Sequence, residues 1–179
     1  MKRRSRKESV GRGAAKTSSA AMDKDTHILL RSATQADAES AADVYLASRK
    51  ALVGFAPLAH TDAQVRQWIA GLLIPSGGVM LAANGTQVVG MMATSQQGGH
   101  GWIDHLYVAP AFVGAGIGAR LLARAKAGLG PPLRLYTFQA NAGARRFYER
   151  HGFEAIAFSD GQNNEEKCPD VLYQWNPGA

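Results

Sequence analysis

Between Leu106 and Leu122 the chain reads Leu-Tyr-Val-Ala-Pro-Ala-Phe-Val-Gly-Ala-Gly-Ile-Gly-Ala-Arg-Leu-Leu, so a run of strand formers breaks into alternating glycines and then into helix formers. Leu106, Tyr107 and Val108 end a strand, and Pro110 stops its ladder. Gly114, Gly116 and Gly118 then make a turn without side chains to obstruct a ligand. Ala119 to Ala127 reads as the helix that follows. Its first N–H groups lack intrahelical partners and its dipole is positive there, so a pyrophosphate placed at the turn gains hydrogen bonds from backbone alone. Two other phosphate signatures fail. A dinucleotide fingerprint requires G-x-G-x-x-G early in a βαβ unit with an acidic residue about 20 positions on, and a P-loop requires Gly-Lys-Ser/Thr. A glycine loop that is merely flexible is the remaining alternative.

The 179 residues, 46% of them hydrophobic and without a long apolar run, suit one globular domain that does not span a membrane. The net charge of +6 is uneven. Residues 1 to 25 carry +5 and the rest of the chain only +1, which argues against a basic nucleic-acid-binding face. The first 26 residues read as a disordered basic tail, with a start at Met22 as an alternative, and residues 27–179 as the folded domain. The tail lacks the apolar core of a secretory signal, while Glu8 and weak amphipathicity argue against a transit peptide. Cys168 is the only cysteine, which excludes an internal disulfide and a thiolate metal site, and the cytoplasm is the expected compartment. His27, His60, His100, His105 and His151 show no metal-ligand spacing, so no metal is expected.

In order, His27 to Arg31 reads as a strand. Thr34 and Asp37 form a capping box ahead of a helix whose stripe is Ala38, Ala41, Ala42, Tyr45, Leu46, Arg49 and Leu52. Thr61 or Asp62 caps a second helix through Val65, Trp68, Ile69, Leu72 and Leu73. Val79–Ala83 and Val88–Thr94 flank Asn84-Gly85, a hairpin signal, and Gly101–Val108 is the next antiparallel strand. After the glycine turn and its helix, Leu133–Phe138 follows a crossover and so runs parallel to 101–108. Asn141 caps a helix with Ala144, Phe147, Tyr148 and His151 on one face, and Gly152 closes it. Phe153–Phe158 and Val171–Trp175 pair last, giving β-α-α-β-β-β-α-β-α-β-β.

With the glycine turn and Asn141-Ala142-Gly143-Ala144-Arg145-Arg146-Phe147-Tyr148-Glu149-Arg150-His151-Gly152-Phe153 both in view, the chain resembles the GNAT acetyltransferases over about residues 28 to 176. The resemblance implies an α/β (α+β) fold: a mixed, mostly antiparallel sheet splayed into a V and flanked by about four helices. It implies acetyl-CoA as co-substrate in the V. The pyrophosphate would sit on Val113, Gly114, Ala115, Gly116, Ile117, Gly118 and Ala119, and the pantetheine arm on Leu106, Tyr107 and Val108. Asn141, Ala144 and Phe147 would complete that site. Val113 departs from the Arg or Gln usual in the family, which removes one side-chain phosphate contact but no backbone donor.

The same resemblance places Tyr148 as the general acid for the departing thiolate, whose pKa is about 8.5. Attack needs a neutral amine, and an alkylammonium has a pKa of about 10.4, so a base is required. Asp104 and His105 are the candidates. In a regular strand they alternate, Asp104 sharing parity with Leu106 and Val108 and His105 with Tyr107, so only one faces the cleft. Phe55 and His60 in loop 52–61, and Asp160 and Glu165 with Glu166 and Asp170 in loop 159–170, are the candidate acceptor-binding residues. These carboxylates either select a cationic amine or form a solvated hairpin loop.

The functions in play are acetylation of a small-molecule primary amine, acetylation of a protein N-terminus or lysine, and a non-catalytic acyl-CoA sensor. A homodimer is compatible with each.

Overall fold

The computed structural model describes residues 27–54 and 56–177. The basic segment 1–26 and the candidate Phe55 lie outside the described residues. The elements are β1 (Ile28–Ser32), α1 (Ala38–Ala51), α2 (Asp62–Trp68), β2 (Val79–Asn84), β3 (Gln87–Gln97), β4 (His100–Val108), α3 (Ile117–Leu129), β5 (Leu133–Phe138), α4 (Ala142–Arg150), β6 (Phe153–Ser159) and β7 (Asp170–Trp175). A 3-10 turn at Gln35–Asp37 precedes α1, and a π-turn at Ile69–Leu73 extends α2. The order of strands and helices is the one expected from sequence. α3 starts two residues earlier and ends two later than its glycine and alanine pattern predicts, and β3 runs on to Gln97.

Capping chemistry sets both early helices. Asp37 accepts from the Thr34 backbone N–H and hydroxyl, both at 2.8 Å, and binds Arg31 through both carboxylate oxygens. Of the two candidates for the second cap, Thr61 is the one used: its hydroxyl accepts from the Gln64 N–H, and the Gln64 side chain accepts from the Thr61 N–H.

The seven strands form one mixed sheet in the order β1-β2-β3-β4-β5-β7-β6, with β4–β5 the parallel pair. α1 and α2 cover one face of β2, β3 and β4 through Ala41, Ala42, Leu46, Val65 and Ile69 against Leu81 and Met91. α3 and α4 belong to the core on the other face, where Ile117, Leu121, Leu122 and Tyr148 pack with Met92, Leu133, Leu135, Phe153 and Tyr173. Each fully buried Leu, Ile or Met contributes about 1.5–3 kcal/mol of transfer free energy. Gly90 lets α3 lie this close, since a Cβ there would stand 2.9 Å from Ile117 Cγ2 and 3.4 Å from Leu121 Cδ1.

β4 and β5 pair only at Gly101↔Leu133 and Trp102↔Arg134. Beyond those two positions the strands part, and among the described residues the rest of β4 pairs with no strand on its β5 side. This is the V that the family resemblance implies.

One expectation about β4 is corrected. Ala93 pairs with His105 and Thr94 with Ile103, so Asp104 is an extra residue in a β-bulge. Regular alternation therefore fails between Ile103 and His105. Ile103 packs in the α3–α4 core, whereas His105 stacks with Tyr45 and Trp68 on the α1–α2 side.

Candidate active site

The glycine turn is built by backbone conformation. β4 pairing ends where the Ala109 N–H donates to Val89 O, and Pro110–Phe112 forms a short 3-10 turn. Gly114 and Gly116 follow with φ of 88° and 77°, values that favour glycine, and Gly116 is the N-cap of α3. A Cβ at either position would meet nothing within 4 Å, so the space above the turn is clear. The Arg120 N–H bonds to Gly116 O. The N–H groups of Ile117, Gly118 and Ala119, one turn ahead of it, have no acceptor among the described residues. They converge with the positive end of the helix dipole, which suits a phosphate without any cationic side chain. Val113 is 71% exposed at the lip of the turn and adds no donor.

The open edge of β4 lies beside this turn. Because Ala109 and Val89 are hydrogen-bonded partners, alternation aims the polar groups of Tyr107 at β3 and those of Leu106 and Val108 into the V. Ser48 of α1 donates its hydroxyl to Val108 O at 2.6 Å. The other edge groups are placed to pair with an extended ligand added like a strand. Phe147 of α4 closes the far side, since its ring lies 3.3 Å from where a Gly118 Cβ would be. The Asn141 side chain accepts from the Ala144 N–H at 3.0 Å, so its oxygen serves as the α4 cap.

Tyr148 is buried, 7% exposed, with its ring against Phe147, Phe153 and Tyr173. Its hydroxyl has no hydrogen-bond partner among the described residues. Burial pushes the phenol above its ordinary pKa, so it stays a neutral donor. Tyr107 is also shifted up, first by burial and then by its neighbours, Tyr45 and Tyr148 among them.

On the α1–α2 side a cleft of about 610 Å³ is lined by Tyr45, Trp68 and His105, with Gln64, His60 and Glu165 at its rim. The Tyr45, Trp68 and His105 rings pack edge to face, with centroids 5.1–6.0 Å apart. Burial, aided by the charge of Arg49, lowers the His105 pKa to about 4, leaving a neutral imidazole at pH 7. Asp104 does not line this cleft. Its carboxylate accepts from the Ser95 hydroxyl at 3.1 Å, and its pKa is raised by burial against the opposing effect of that hydrogen bond.

Loop 160–169 folds back toward the α1–α2 cleft. Glu165 meets His60 Nε2 at 3.0 Å, and Glu166 accepts from Arg49 at 2.8 Å. Of the four carboxylates considered from sequence, only Glu165 lines the cleft. Asp160 instead accepts from the Gln162 N–H, and Asp170 binds the Asn164 side chain, leaving its Oδ1 buried and unpaired. Tyr45, Ser48 and Arg49 escaped the sequence reading as site residues. A signal for Arg49 was present, because an arginine within an apolar helical stripe has to be buried with a partner. Among the described residues no group of three or more His, Cys, Asp or Glu is placed to hold a metal, and no helix is long and apolar enough to cross a membrane.

Residues 29–153 match the model of the acetyltransferase (GNAT) family. No curated protein matches the chain in sequence. Among solved structures, YjaB from Escherichia coli in its apo form is 24% identical, with 85% of this chain and 99% of that one covered at a TM-score of 0.66. The PaiA N-acetyltransferase of Thermoplasma acidophilum, solved in complex with coenzyme A, is 20% identical over 83% and 98% of the two chains, with a TM-score of 0.63. Naa50 of Arabidopsis thaliana, in complex with a bisubstrate analogue, is 19% identical over 83% and 98%, with a TM-score of 0.61. At these identities the structures establish a shared fold.

Proposed function

The chain belongs to the GNAT acetyltransferase family, and on that premise we propose that it transfers the acetyl group of acetyl-CoA to a primary amine of a small molecule. Acetyl-CoA supplies an activated thioester. The backbone N–H groups at the start of α3 would hold its pyrophosphate, and the Leu106 and Val108 edge its pantetheine arm. The unobstructed positions above Gly114 and Gly116 fit that role.

In the reaction an N–C bond forms, the C–S bond breaks, and the amine gives up a proton while the sulfur gains one. His105 lines the cleft and Asp104 does not, which favours His105 as the group that takes the proton from the attacking amine. It is neutral and so able to accept. Tyr148, a buried phenol with a hydroxyl bonded to no described residue, serves the sulfur. Held in its neutral form, it hydrogen-bonds or protonates a thiolate that ordinarily has a pKa of about 8.5.

The small-molecule reading is carried by the concave cleft. Its volume falls within the range of small-ligand pockets, and its rim is tied by Glu165 to His60, with Glu166 anchoring the same loop to Arg49. The experiment is incubation of the protein and acetyl-CoA with a mixed library of amines, reading free thiol and the mass of any amide product. Amide formation with thiol release supports the reading. Binding of acetyl-CoA without either product would make the protein a sensor.

A further inference from the structure

We infer that the acceptor is a monocationic amine with a flat apolar body, the body lying on the wall formed by Tyr45, Trp68 and His105 and the ammonium drawn in by Glu165. The inference rests on the acetyl-transfer reading above and adds the chemical class of the amine.

Two observations meet here. The first is the shape and chemistry of the wall. Trp68 lies 5.8 Å from Tyr45 and 5.1 Å from His105, all edge to face, so the three rings form one continuous aromatic wall. Such a wall gains from burying a flat hydrocarbon, and an aromatic body adds ring-to-ring contacts beyond the area buried. The second is the count of charges. A polyamine or an aminosugar with several ammonium groups needs several carboxylates in its pocket. Of Asp160, Glu165, Glu166 and Asp170, only Glu165 lines the cleft, while Glu166 is turned to Arg49, Asp170 to Asn164 and Asp160 to its own turn. Glu165 remains, 73% exposed in its side chain, with Oε2 against His60 and Oε1 without a partner among the described residues. One available carboxylate beside an aromatic wall matches one positive charge beside an apolar body.

The test uses the full chain and three probes, each with a primary amine: 2-phenylethylamine, spermidine, and an unblocked pentapeptide with an apolar first residue. The kcat/KM for thiol release from acetyl-CoA should be at least about tenfold higher for 2-phenylethylamine than for either other probe, a difference of about 1.4 kcal/mol. A higher value for spermidine or for the peptide overturns the inference while leaving acetyl transfer intact. Thiol release with other library amines but none with 2-phenylethylamine also overturns the inference while leaving acetyl transfer intact. Binding is measured independently by calorimetry with CoA present. There 2-phenylethylamine should bind at least about fivefold tighter than the neutral 2-phenylethanol, about 1 kcal/mol. Glu165→Gln should erase that preference, and Trp68→Leu should weaken both ligands with CoA affinity unchanged. Equal binding of amine and alcohol to the unaltered protein overturns the inference without reference to any variant's folding.

Discussion

Arg49 and Glu166 lie 117 residues apart in the chain and meet at 2.8 Å, Nη2 to Oε1. The guanidinium side chain is 4% exposed and the carboxylate 21%. Arg49 also donates to Pro57 O at 3.2 Å and lies over the Phe138 ring, so one buried cation ties α1, the loop after it, β5 and loop 160–169 together. Glu166→Ala leaves that charge unpaired in the interior. Urea unfolding should show a loss of about 3–5 kcal/mol, the usual consequence of breaking one side of a buried pair. A loss under about 0.5 kcal/mol would mean that water reaches the guanidinium and that the pair does not hold loop 160–169 to α1.

The glycine turn makes a separable prediction. Gly116→Ala forces a side chain into left-handed backbone at a cost of about 1–2 kcal/mol, with no clash because the site is open. Gly116→Glu adds a like charge and fills the phosphate path, so calorimetric CoA affinity should fall by about 100-fold or more, about 2.7 kcal/mol. Affinity within about threefold of the parent, about 0.65 kcal/mol, would remove the turn from the cofactor site.

Tyr148→Phe keeps the packing against Phe153 and Tyr173 and removes only the hydroxyl. As the general acid it should take kcat down by about 100-fold, with acetyl-CoA affinity barely changed. Burial raises the phenol, so an alkaline decline in kcat caused by its ionisation should lie above pH of about 10 and vanish in the variant. An unchanged kcat would assign the proton to another donor.

His105 should titrate with a midpoint of about 4 when its ring resonances are followed by NMR. Arg49→Met should move that midpoint up, because the arginine charge adds to the effect of burial. The folded pKa lies below the unfolded value of about 6.5. The neutral ring therefore stabilises the fold fully above that pH, and this contribution is lost as pH falls from about 6.5 towards 4. His105→Gln should flatten that window in a stability-versus-pH curve. A midpoint near 6.5 would show a solvated imidazole in place of the buried one.

At the edge of the sheet, Asp37 is held well below the usual carboxylate range, chiefly by hydrogen bonding to Arg31 and with help from Thr34. A depressed carboxyl stabilises the fold above its unfolded pKa of about 3.9 and loses this effect as pH falls further. Asp37→Asn should cost about 1 kcal/mol at pH 7, a modest figure because Arg31 is 37% exposed and screened. The gap between parent and variant should narrow below a pH of about 4. A gap that is constant down to pH 2 would trace the cost to geometry alone.

The parts of this protein written in local sequence are those whose causes are local. Gly114 and Gly116 need left-handed backbone wherever they stand, and a helix following them exposes its N–H groups whatever lies beyond. The stripes of α1 and α2, the caps at Thr34 and Thr61, and the Asn84-Gly85 hairpin depend on neighbours a few residues away, and their strand and helix order emerged with them. The placement of Asp104 and His105 does not. It follows from a bulge set by how β4 registers against β3, which no spacing within β4 reveals. The pairing of β7 between β5 and β6, the parting of β4 from β5 after two residue pairs, and the consumption of Glu166 by Arg49 are likewise contacts between distant segments. Such contacts form only when packing has offset the entropy of closing long loops, so residues that share a site carry no mark of it in their own stretch of chain. The glycine turn was legible in the chain itself, while the lining of the α1–α2 cleft, with Glu165 as its carboxylate, came from the folded structure.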